Sequence, residues 1–483
     1  MSRLQDEVLR PERRRGGEAP ALRREIVLAI GAAILVAGIL VQPSVGLTRP
    51  GARALAVLVF AIIMWASEVV ESSVTALAVI VLLPIMRVVP YGEAFHGLGS
   101  PIVWKIIGVL MVTLAVQKTG LDRRIAFWAL RIAGDNPRRL VFFTIVVSAF
   151  LVFVIPSPFG RSSLLTSVLA GLLAAVGVRP GSNIGKALFL SVAMTVLITS
   201  GSSLVGASSM MYSAGAFEEL AGVTLSYFSW VRMNAPITLL SCLLIYPVAV
   251  GLYPPEDTRN VNFKEFIDKQ LAEMGPLSRG ERKVVASLVL LGYLWTNDLS
   301  NSYPVELAVA LALLMPGLGV LEWRDASRKI SWGTIMLLGA SLGLSAALKE
   351  TGAAEWVVGK LFGNSVSAGP VYLALLVVLA SAVLRLGMVN MVGVSATLLP
   401  VVIPLARSLG FNPLWLGMIC TLSSTMGFFL PSQGVTQVTT YGLGYFSTGD
   451  MLRVGLCAFL IYTSVIILGA VFYWPLLGVA ASG

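Results

Sequence analysis

Four polar stretches interrupt long apolar runs of this chain, and their residue types could bind an anion. They read IPSPFGRSS (155–163), TSGSSLVGASSM (199–210), LGMVNMVGVSA (386–396) and LPSQGVTQVTTYG (430–442). Proline and glycine break a helix there and leave backbone N–H and C=O groups without intrahelical partners. The N-terminus of a half-helix attracts anions, and serine, asparagine and glutamine side chains add hydrogen bonds. Four such ends that meet near the middle of a membrane would form a small polar pocket for an anion.

Two arginines accompany these interruptions: Arg161 lies within the first stretch, and Arg385 directly precedes the third. A charged side chain at the centre of a bilayer costs about 2.5–3.5 kcal/mol unless it is paired. Residues 136–217 and 363–449 contain no Asp or Glu. Both arginines are therefore candidates to bind a carboxylate of the substrate. Two alternatives stay open: snorkelling of Arg385 to the interface, and a structural partner from elsewhere in the chain, namely Glu68, Glu71 or Glu306.

The composition predicts a membrane protein to hold these stretches. The chain is 56% hydrophobic and 12% charged, with a mean hydropathy of +0.84, whereas soluble domains carry about 25% charged residues. Apolar runs of helical length predict an all-α polytopic fold with eleven transmembrane helices. We expect these helices at about 26–47, 53–71, 73–90, 102–119, 186–215, 233–253, 284–300, 304–321, 332–350, 413–444 and 451–478.

Two further apolar stretches, 137–178 and 366–408, are too long for one crossing and are interrupted at their centres. This pattern predicts two re-entrant helical hairpins. Backbone that is not helical is tolerated at membrane depth only where protein covers it or where it lines a cavity.

The distribution of basic residues predicts the orientation in the membrane. With the N-terminus inside, the inside loops hold six Lys or Arg in 118–139, two in 179–186, six in 259–283 and three in 324–329. Short cytoplasmic loops carry such an excess, which explains the net charge of +10 without any nucleic-acid partner. We therefore expect a protein of the cell (inner) membrane with its basic tail, 1–25, in the cytosol and its C-terminus outside.

The two halves of the chain resemble each other. The segment WASEVVESSVTALAVIVLLP (65–84) resembles LWTNDLSNSYPVELAVALALLMP (294–316), and Gly120 and Gly352 are separated by the same 232 residues as the ends of these segments. A unit with an odd number of crossings inverts its second copy, and inverted repeats with broken helices are typical of secondary transporters. We expect scaffold parts at 26–120 and 284–352, transport parts at 121–254 and 353–483, and a cytosolic connector at 255–283.

At these motifs the chain resembles the divalent anion/sodium symporter family, which carries dicarboxylates, citrate and related anions. The resemblance covers nearly the whole chain after the tail and is strongest at 421–455, where Pro431, Gly442 and Gly444 keep the frame of the family. Gln437 stands where the family has an asparagine, and SLVG (203–206) is similar to its Thr-Leu-Ile-Gly. The resemblance implies an elevator mechanism and a homodimer.

The chain departs from the family at the residues that surround sodium there. The family has Ser-Asn-Thr at each hairpin tip, whereas this chain has SPF (157–159) and VNM (389–391). Where the family has its first Thr-Pro-Pro-Asn motif, this chain has ASSM (207–210). An exchanger branch of the family has Pro-Ser-Asn-Thr-Ala-Arg at the first tip, which PSPFGR (156–161) resembles in Pro156, Ser157 and Arg161. The sodium requirement is therefore open, and Arg161 could do part of the work of sodium.

These observations predict a secondary active transporter of small organic anions, namely di- or tricarboxylates, that works as a sodium-independent exchanger. The alternatives are a sodium-coupled symporter and a receptor-like protein that kept the fold without transport. The three cysteines lie singly inside apolar runs and the chain has one histidine, so we expect no disulfide, no metal cluster, no cofactor and no enzyme. The partners would be the anion and membrane lipids. Candidate substrate-binding residues are Ser157, Arg161, Ser202, Ser203, Arg385, Asn390, Ser432 and Gln437, and a sodium site, if present, would use Ser157, Asn390 and Gly434.

Overall fold

The computed structural model describes residues 21–40, 45–67, 69–256, 262–297, 299–362 and 369–482. Across these ranges the chain is helical, and no strand forms beyond an isolated bridge between Phe411 and Ser482. Eight helices of the described residues are long and apolar enough to cross a membrane, and three shorter ones are also apolar. The chain is thus an all-α polytopic membrane protein, as predicted, while the number of eleven crossings stays a prediction.

The first half of the chain forms ten principal helices, which we number in chain order. They are α1 Ala21–Leu40, α2 Arg49–Ser67, α3 Ser72–Ile85, α4 Pro101–Thr119, α5 Leu121–Arg131, α6 Pro137–Leu151, α7 Pro158–Ala175, α8 Asn183–Ser200, α9 Ser208–Ala216 and α10 Tyr227–Leu252.

The second half contributes eleven more, of which α11 and α14 are short and polar. They are α11 Phe263–Met274, α12 Arg279–Thr296, α13 Val305–Leu314, α14 Trp323–Lys329, α15 Trp332–Glu350, α16 Ala353–Phe362, α17 Pro370–Gly387, α18 Met391–Ser408, α19 Pro413–Ser423, α20 Val435–Tyr441 and α21 Thr448–Leu468.

Glycine and proline set several of the helix ends. Gly120 and Gly352 follow the ends of α4 and α15 with φ of +74° and +66°, a left-handed conformation that favours glycine. The predicted helix 304–321 ends already at Leu314, because Pro316 and Gly317, with φ of +81°, follow it.

The polar stretches lie where helices end. Residues 152–157 separate α6 from α7, and residues 388–390 separate α17 from α18. The predicted spans 186–215 and 413–444 are each divided into two helices, by residues 201–207 and 424–434. We call 152–157 tip 1, 388–390 tip 2, 201–207 break 1 and 424–434 break 2.

The helices of the two halves pack reciprocally. Helix α3 packs on α15 and α4 packs on α13, so that each half supplies one member of both pairs. In the same way α9, after break 1, packs on α18, while α20, after break 2, packs on α7. This exchange of partners is what a two-fold related pair of repeats would produce, although the inverted repeat itself stays a prediction.

Ion pairs hold the connector between the two halves against α5. The guanidinium of Arg124 donates to both carboxylate oxygens of Glu281 at 2.5 and 3.2 Å, and Arg131 pairs with Asp268 at 2.6 Å. Arg124 also donates to the carbonyl of Gly275 at 2.7 Å. Helix α11 therefore lies along α5.

Some predicted segments fall partly outside the described residues. These are residues 1–20 of the predicted tail, 41–44 of the first predicted helix, 257–261 of the connector, 298 of the predicted helix 284–300 and 366–368 of the second hairpin. Glu68, in the second predicted helix and a candidate partner of the arginines, also lies outside the described residues. The proposed division into scaffold and transport parts also stays a prediction.

Candidate functional site

Tip 1 ends in a capped helix start. Ser157 is the N-cap of α7, and its Oγ accepts a hydrogen bond from the backbone N–H of Gly160 at 3.1 Å. Pro158 occupies the first helical position, where its missing N–H costs nothing and its fixed φ fits the helix. The serine and proline of the predicted anion motif therefore build a helix N-terminus at the tip.

Arg161 is fully buried one turn into α7 and joins tip 1 to break 1. Its Nη1 donates to the carbonyl oxygens of Ile155 at 2.9 Å and Gly206 at 3.1 Å. Its Nη2 donates to the carbonyl of Val196 at 3.1 Å and to Oγ of Ser200 at 2.8 Å. All four N–H groups of the two Nη atoms thus bind oxygens of the protein, while Nε has no hydrogen-bond partner.

Tip 2 is built in a similar way. Asn390 is the N-cap of α18, and its Oδ1 accepts the backbone N–H of Val392 at 2.9 Å. Arg385, in the last turn of α17, is also buried. Its Nη1 donates to the carbonyls of Met388 at 2.7 Å and Val389 at 2.6 Å, and its Nη2 donates to the carbonyl of Gln433 at 2.9 Å. Arg385 therefore joins tip 2 to break 2.

No carboxylate of the described residues forms an ion pair with either arginine. Among the ion pairs formed by described residues, none includes Arg161 or Arg385. Their charges are instead solvated by main-chain carbonyls at the ends of helices, which carry partial negative charge. The structural alternative of an acid partner is thus not realised within the described residues.

Two glutamines lie near Arg385, Gln433 in break 2 and Gln437 in α20, which follows it. Gln433 accepts the backbone N–H groups of Phe429 and Leu430 at 2.7 and 2.8 Å and donates to the carbonyl of Arg385 at 3.1 Å. Gln437 donates to the carbonyl of Gly427 at 2.5 Å, while its buried Oε1 has no hydrogen-bond partner.

The remaining candidates of break 2 differ in their surroundings. A Cβ on the buried Gly434 would lie 2.5 Å from Oε1 of Gln437 and 3.8 Å from Nη2 of Arg385, so these three residues lie together. Ser432 is exposed instead. The sequence did not single out Gln433, although an amide within a helix break is the signal that would have found it.

The serines of break 1 form hydrogen bonds with side chains of α10. The hydroxyl of Ser202 lies 2.6 Å from Oγ1 of Thr238, and the hydroxyl of Ser203 lies 3.2 Å from the hydroxyl of Tyr227. Both serines are buried. A hydrogen bond from Oγ of Ser162 to the carbonyl of Thr436, at 3.1 Å, then connects α7 to the helix after break 2.

A cavity of about 720 Å³ opens beside tip 1. Of the predicted residues, Ser157 lines it, and Gly160 and Ser163 of α7 continue the same wall. The facing wall comes from α4, including Gln117. The volume falls in the range of ordinary small-molecule sites, about 300–1,000 Å³.

Charged residues that the sequence did not single out also line the cavity: Asp122, Arg123 and Lys329. Burial raises the pKa of Asp122 from 3.8 to about 6, against the opposing effect of its hydrogen bond to the backbone N–H of Arg123. The predicted transport parts therefore contain buried carboxyl groups outside the acid-free stretches, Asp122 in the first part and Asp450 in the second. Of these, Asp122 lines the cavity. It lies just before the acid-free stretch in sequence, and the turn at Gly120 brings it to the cavity.

The described residues contain no group of three or more His, Cys, Asp and Glu side chains that could hold a metal ion. A sodium ion would need several oxygen ligands. The carbonyls of Ile155 and Gly206 at tip 1, and of Met388 and Val389 at tip 2, already accept arginine N–H groups. These carbonyls are thus partly engaged by the arginines, and a sodium site at Ser157, Asn390 and Gly434 stays a prediction.

Broken helices, a cavity with charged and hydroxyl side chains in its lining, and membrane-spanning length are together typical of a polytopic membrane transport protein. The chain belongs to the sodium:sulfate symporter family, since the family model described as the sodium:sulfate symporter transmembrane region matches residues 23–480. This confirms the resemblance to the divalent anion/sodium symporters. The family consists of transporters, so the chain is a transporter and not an enzyme.

Related proteins cover most of the chain. A membrane protein of Cupriavidus necator is 28% identical over 94% of this chain and 92% of its own length. The sodium-dependent dicarboxylate transporter SdcS of Staphylococcus saprophyticus is 21% identical over 93% of this chain and 91% of its own. The citrate/succinate antiporter of Escherichia coli is 24% identical over 79% of each chain.

Solved transporter structures share the fold. MtrF of Neisseria gonorrhoeae superposes with a TM-score of 0.54 at 12% identity, over 92% of this chain and 98% of its own. The YdaH transporter of Alcanivorax borkumensis gives a TM-score of 0.52 at 13% identity, over 89% of this chain and 98% of its own.

Proposed function

We propose that this protein is a sodium-independent exchanger of small organic anions, di- or tricarboxylates, in the inner membrane. The observation that carries the proposal is the placement of Arg161 and Arg385. Each is buried and forms no ion pair with a carboxylate of the described residues, and each binds carbonyl oxygens of tip 1 or tip 2 and of the corresponding break. Two permanent positive charges thus lie in the segments that the sequence predicts to bind the substrate.

The charges have a direct use in anion transport. A dianion that enters a site of low dielectric constant needs compensating positive charge, because its desolvation is costly. A symporter can supply the charge with bound cations held by oxygen ligands. Here the guanidinium groups occupy such oxygens and stay charged at every physiological pH. In the described conformation Arg161 acts on the anion through its field, since its Nη atoms are satisfied within the protein.

Direct contacts to the anion would come from the helix starts. The N-termini of α7 and α18, capped by Ser157 and Asn390, offer partial positive charge and free backbone N–H groups. Ser202, Ser203, Ser432 and Gln437 remain proposed members of the site, of which Gln437 has a buried acceptor without a partner. A citrate/succinate antiporter among the relatives favours carboxylates as substrates and exchange as the mode.

Fixed charge also favours exchange over net uptake. A site that stays positive when empty crosses the membrane reluctantly, because nothing neutralises it. A bound dianion removes that penalty, so both strokes of the cycle would require an anion.

Contacts between the proposed scaffold and transport parts support an elevator movement. By the predicted topology the cavity faces the cytosol, and contacts hold the two parts together towards the other side. The ring of Tyr227 stacks on that of Trp295 with centroids 3.9 Å apart, and Glu219 lies 3.5 Å from Lys349 and 3.6 Å from His96. We propose that these contacts separate when the transport part moves, in a homodimer held by the scaffold.

Uptake into proteoliposomes tests the function. Labelled succinate and citrate would be offered with and without a sodium gradient, and with and without unlabelled anion inside. We expect uptake that requires internal anion and is unchanged by sodium. Uptake that requires sodium and ignores internal anion would instead establish the symport that the name of the Staphylococcus relative describes. Absence of transport together with retained anion binding would indicate a receptor-like protein.

A further inference from the structure

The cavity beside tip 1 extends well beyond the tip. One wall is a face of α4 with Thr113 and Gln117, and the other is a face of α7 with Ser163 and Ser167. Residues four apart lie above one another on a helix, so each wall presents a short row of polar groups. Such rows offer successive hydrogen-bond partners along α7 to an anion on its way to Ser157.

Two cations of this cavity, Arg123 and Lys329, form no ion pair among the described residues, although the charge of Arg123 acts on the adjacent carboxyl of Asp122. Lys329, at the end of α14, is exposed, and neither it nor Arg123 takes part in an ion pair among the described residues. Arg123 donates to Oε1 of Gln270 at 2.6 Å, which fixes its position and leaves its charge in place. By contrast Lys118, on nearby α4, is paired with Asp325 at 3.3 Å, so a carboxylate of the protein already neutralises its charge.

We infer that Arg123 and Lys329 form a second anion site, at which a dicarboxylate binds before it moves to tip 1. The two cations that line the cavity come from different elements, Arg123 from α5 and Lys329 from the end of α14. A dianion with a carboxylate at each end can neutralise both, whereas a monoanion neutralises one. The inference rests on the proposed function, and it assigns to this site the capture of the anion rather than its translocation.

The site has its own negative residue, Asp122. A carboxylate beside the two cations lowers their attraction for an anion when it is charged and not when it is protonated. The site therefore binds its ligand weakly enough to release it to the tip. This property distinguishes a capture site from a deep binding site, because charges at the rim of a cleft act mainly on the rate of association.

A charge-restoration experiment tests the inference. Lys329→Cys would be made in a Cys457→Ser background, since the other two cysteines, Cys242 and Cys420, are buried. The thiol would then be modified with a methanethiosulfonate reagent that adds a positive amine or with one that adds a negative sulfonate. Succinate exchange would be measured from each face of oriented vesicles.

We expect the KM for succinate, on one face alone, to rise by about tenfold in Lys329→Cys. The amine reagent should restore it, the sulfonate reagent should raise it further, and the maximal exchange rate should stay unchanged. Arg328→Cys is the matched control, because Arg328 is the neighbouring cation of α14 and does not line the cavity. Its KM should not respond to either reagent.

Two outcomes overturn the inference in different ways. Normal exchange by the parent protein, with a KM that ignores the charge at position 329, overturns the capture site and leaves the proposed function intact. No succinate or citrate exchange by the parent protein overturns the proposed function, and the capture site with it.

Discussion

The two hairpin tips reach the same electrostatic result from different positions in the sequence. Arg161 follows the cap residue of tip 1 by four positions, and its four N–H groups reach tip 1, α8 and break 1. Arg385 precedes the cap residue of tip 2 by five positions, and two of its three hydrogen bonds stay within its own tip. The position equivalent to Arg161 in the second hairpin is Val394.

This difference indicates what is constrained in the site. Because the two arginines are not at equivalent positions, a common ancestral residue of the two repeats does not explain them. The shared feature is a buried cation among helix-end carbonyls that links a tip to a break. The arrangement of the acceptors, spread over three segments at tip 1 and clustered at tip 2, should set how each site tolerates substitution.

Removal of each arginine should have the largest effect. Arg161→Ala removes the arginine donor from the buried carbonyls of Ile155 and Gly206, and each unsatisfied buried group costs about 1–3 kcal/mol. The carbonyl of Val196 still accepts the hydroxyls of Thr199 and Ser200. Arg385→Ala removes the donor from three carbonyls, of which that of the half-buried Val389 can be reached by water. We expect Arg161→Ala to abolish anion binding and to lower the Tm more than Arg385→Ala does, as measured by thermal unfolding with and without citrate.

Arg407→Ala is the control for this pair, because the exposed Arg407 binds only the carbonyl of Ala221 at 3.0 Å. Normal citrate affinity in Arg161→Ala would show that the arginine has a structural role alone.

Alanine at the glycine beside each arginine should have the next largest effect. A Cβ on Gly206 would lie 2.3 Å from the carbonyl oxygen of Ser200, so the backbone of break 1 must move. A Cβ on Gly427 would lie 2.3 Å from Nη2 of Arg385 and displaces a side-chain end. We expect exchange to be lost in Gly206→Ala and reduced in Gly427→Ala. Equal activity of Gly206→Ala and the parent would contradict the described geometry of break 1.

Lysine substitution should separate charge from geometry at the two tips. A lysine ammonium is a compact charge with three donors, whereas a guanidinium spreads its donors over a planar fork. The adjacent carbonyls of Met388 and Val389 suit one ammonium group, and the separated acceptors of Arg161 do not. Arg385→Lys should therefore retain more exchange than Arg161→Lys. The reverse order would show that the charge at tip 1, not the fork, is what the site requires.

Loss of the cap residues should have a smaller effect that still distinguishes the tips. Ser157→Ala and Asn390→Ala each remove an N-cap hydrogen bond, worth about 1 kcal/mol of stability. Asn412→Ala, which removes the cap of α19 outside both tips, is the matched control. If Ser157 also contacts the anion in the cavity, Ser157→Ala should raise the KM for succinate beyond that control. An unchanged KM would restrict Ser157 to capping.

The smallest expected effect is a pH dependence confined to the cavity of tip 1. Since burial raises the pKa of Asp122 to about 6, this carboxyl is neutral below that pH and charged above it. Arg123 beside it and Lys329 in the same cavity face it, while Lys118 is paired with Asp325. As the pH rises through 6, the KM for succinate should increase, and the stability contributed by the neutral form declines between 3.8 and about 6.

Asp122→Asn should remove the increase. The ratio of the variant's KM to that of the parent cancels the titration of succinate itself, and a ratio that is constant from pH 5 to 8 would contradict a role of Asp122 at the cavity.

Local features of the site were predictable from the sequence. Prolines, glycines and serines placed the interruptions at tip 1 and break 1, and Ser157 and Asn390 became helix caps because capping depends on neighbouring backbone groups. The absence of acids around Arg161 predicted that no nearby carboxylate would pair with it. The predicted helix 304–321 is too long, since the helix ends at Leu314. Pro316 was a local signal of that end, but the prediction gave more weight to the apolar composition.

The sequence by itself determined that the chain is apolar and that its few charges within the membrane need polar partners. It also located the residues that break the helices. Tertiary packing alone decided which oxygens solvate those charges. The carbonyls of Val196 and Gly206 lie 35 and 45 residues from Arg161 in the sequence. No residue pattern can predict which main-chain carbonyl accepts a hydrogen bond, because every residue carries one. The cavity was also beyond the sequence, since Asp122, Ser157 and Lys329 meet only when α5, α7 and α14 are brought together.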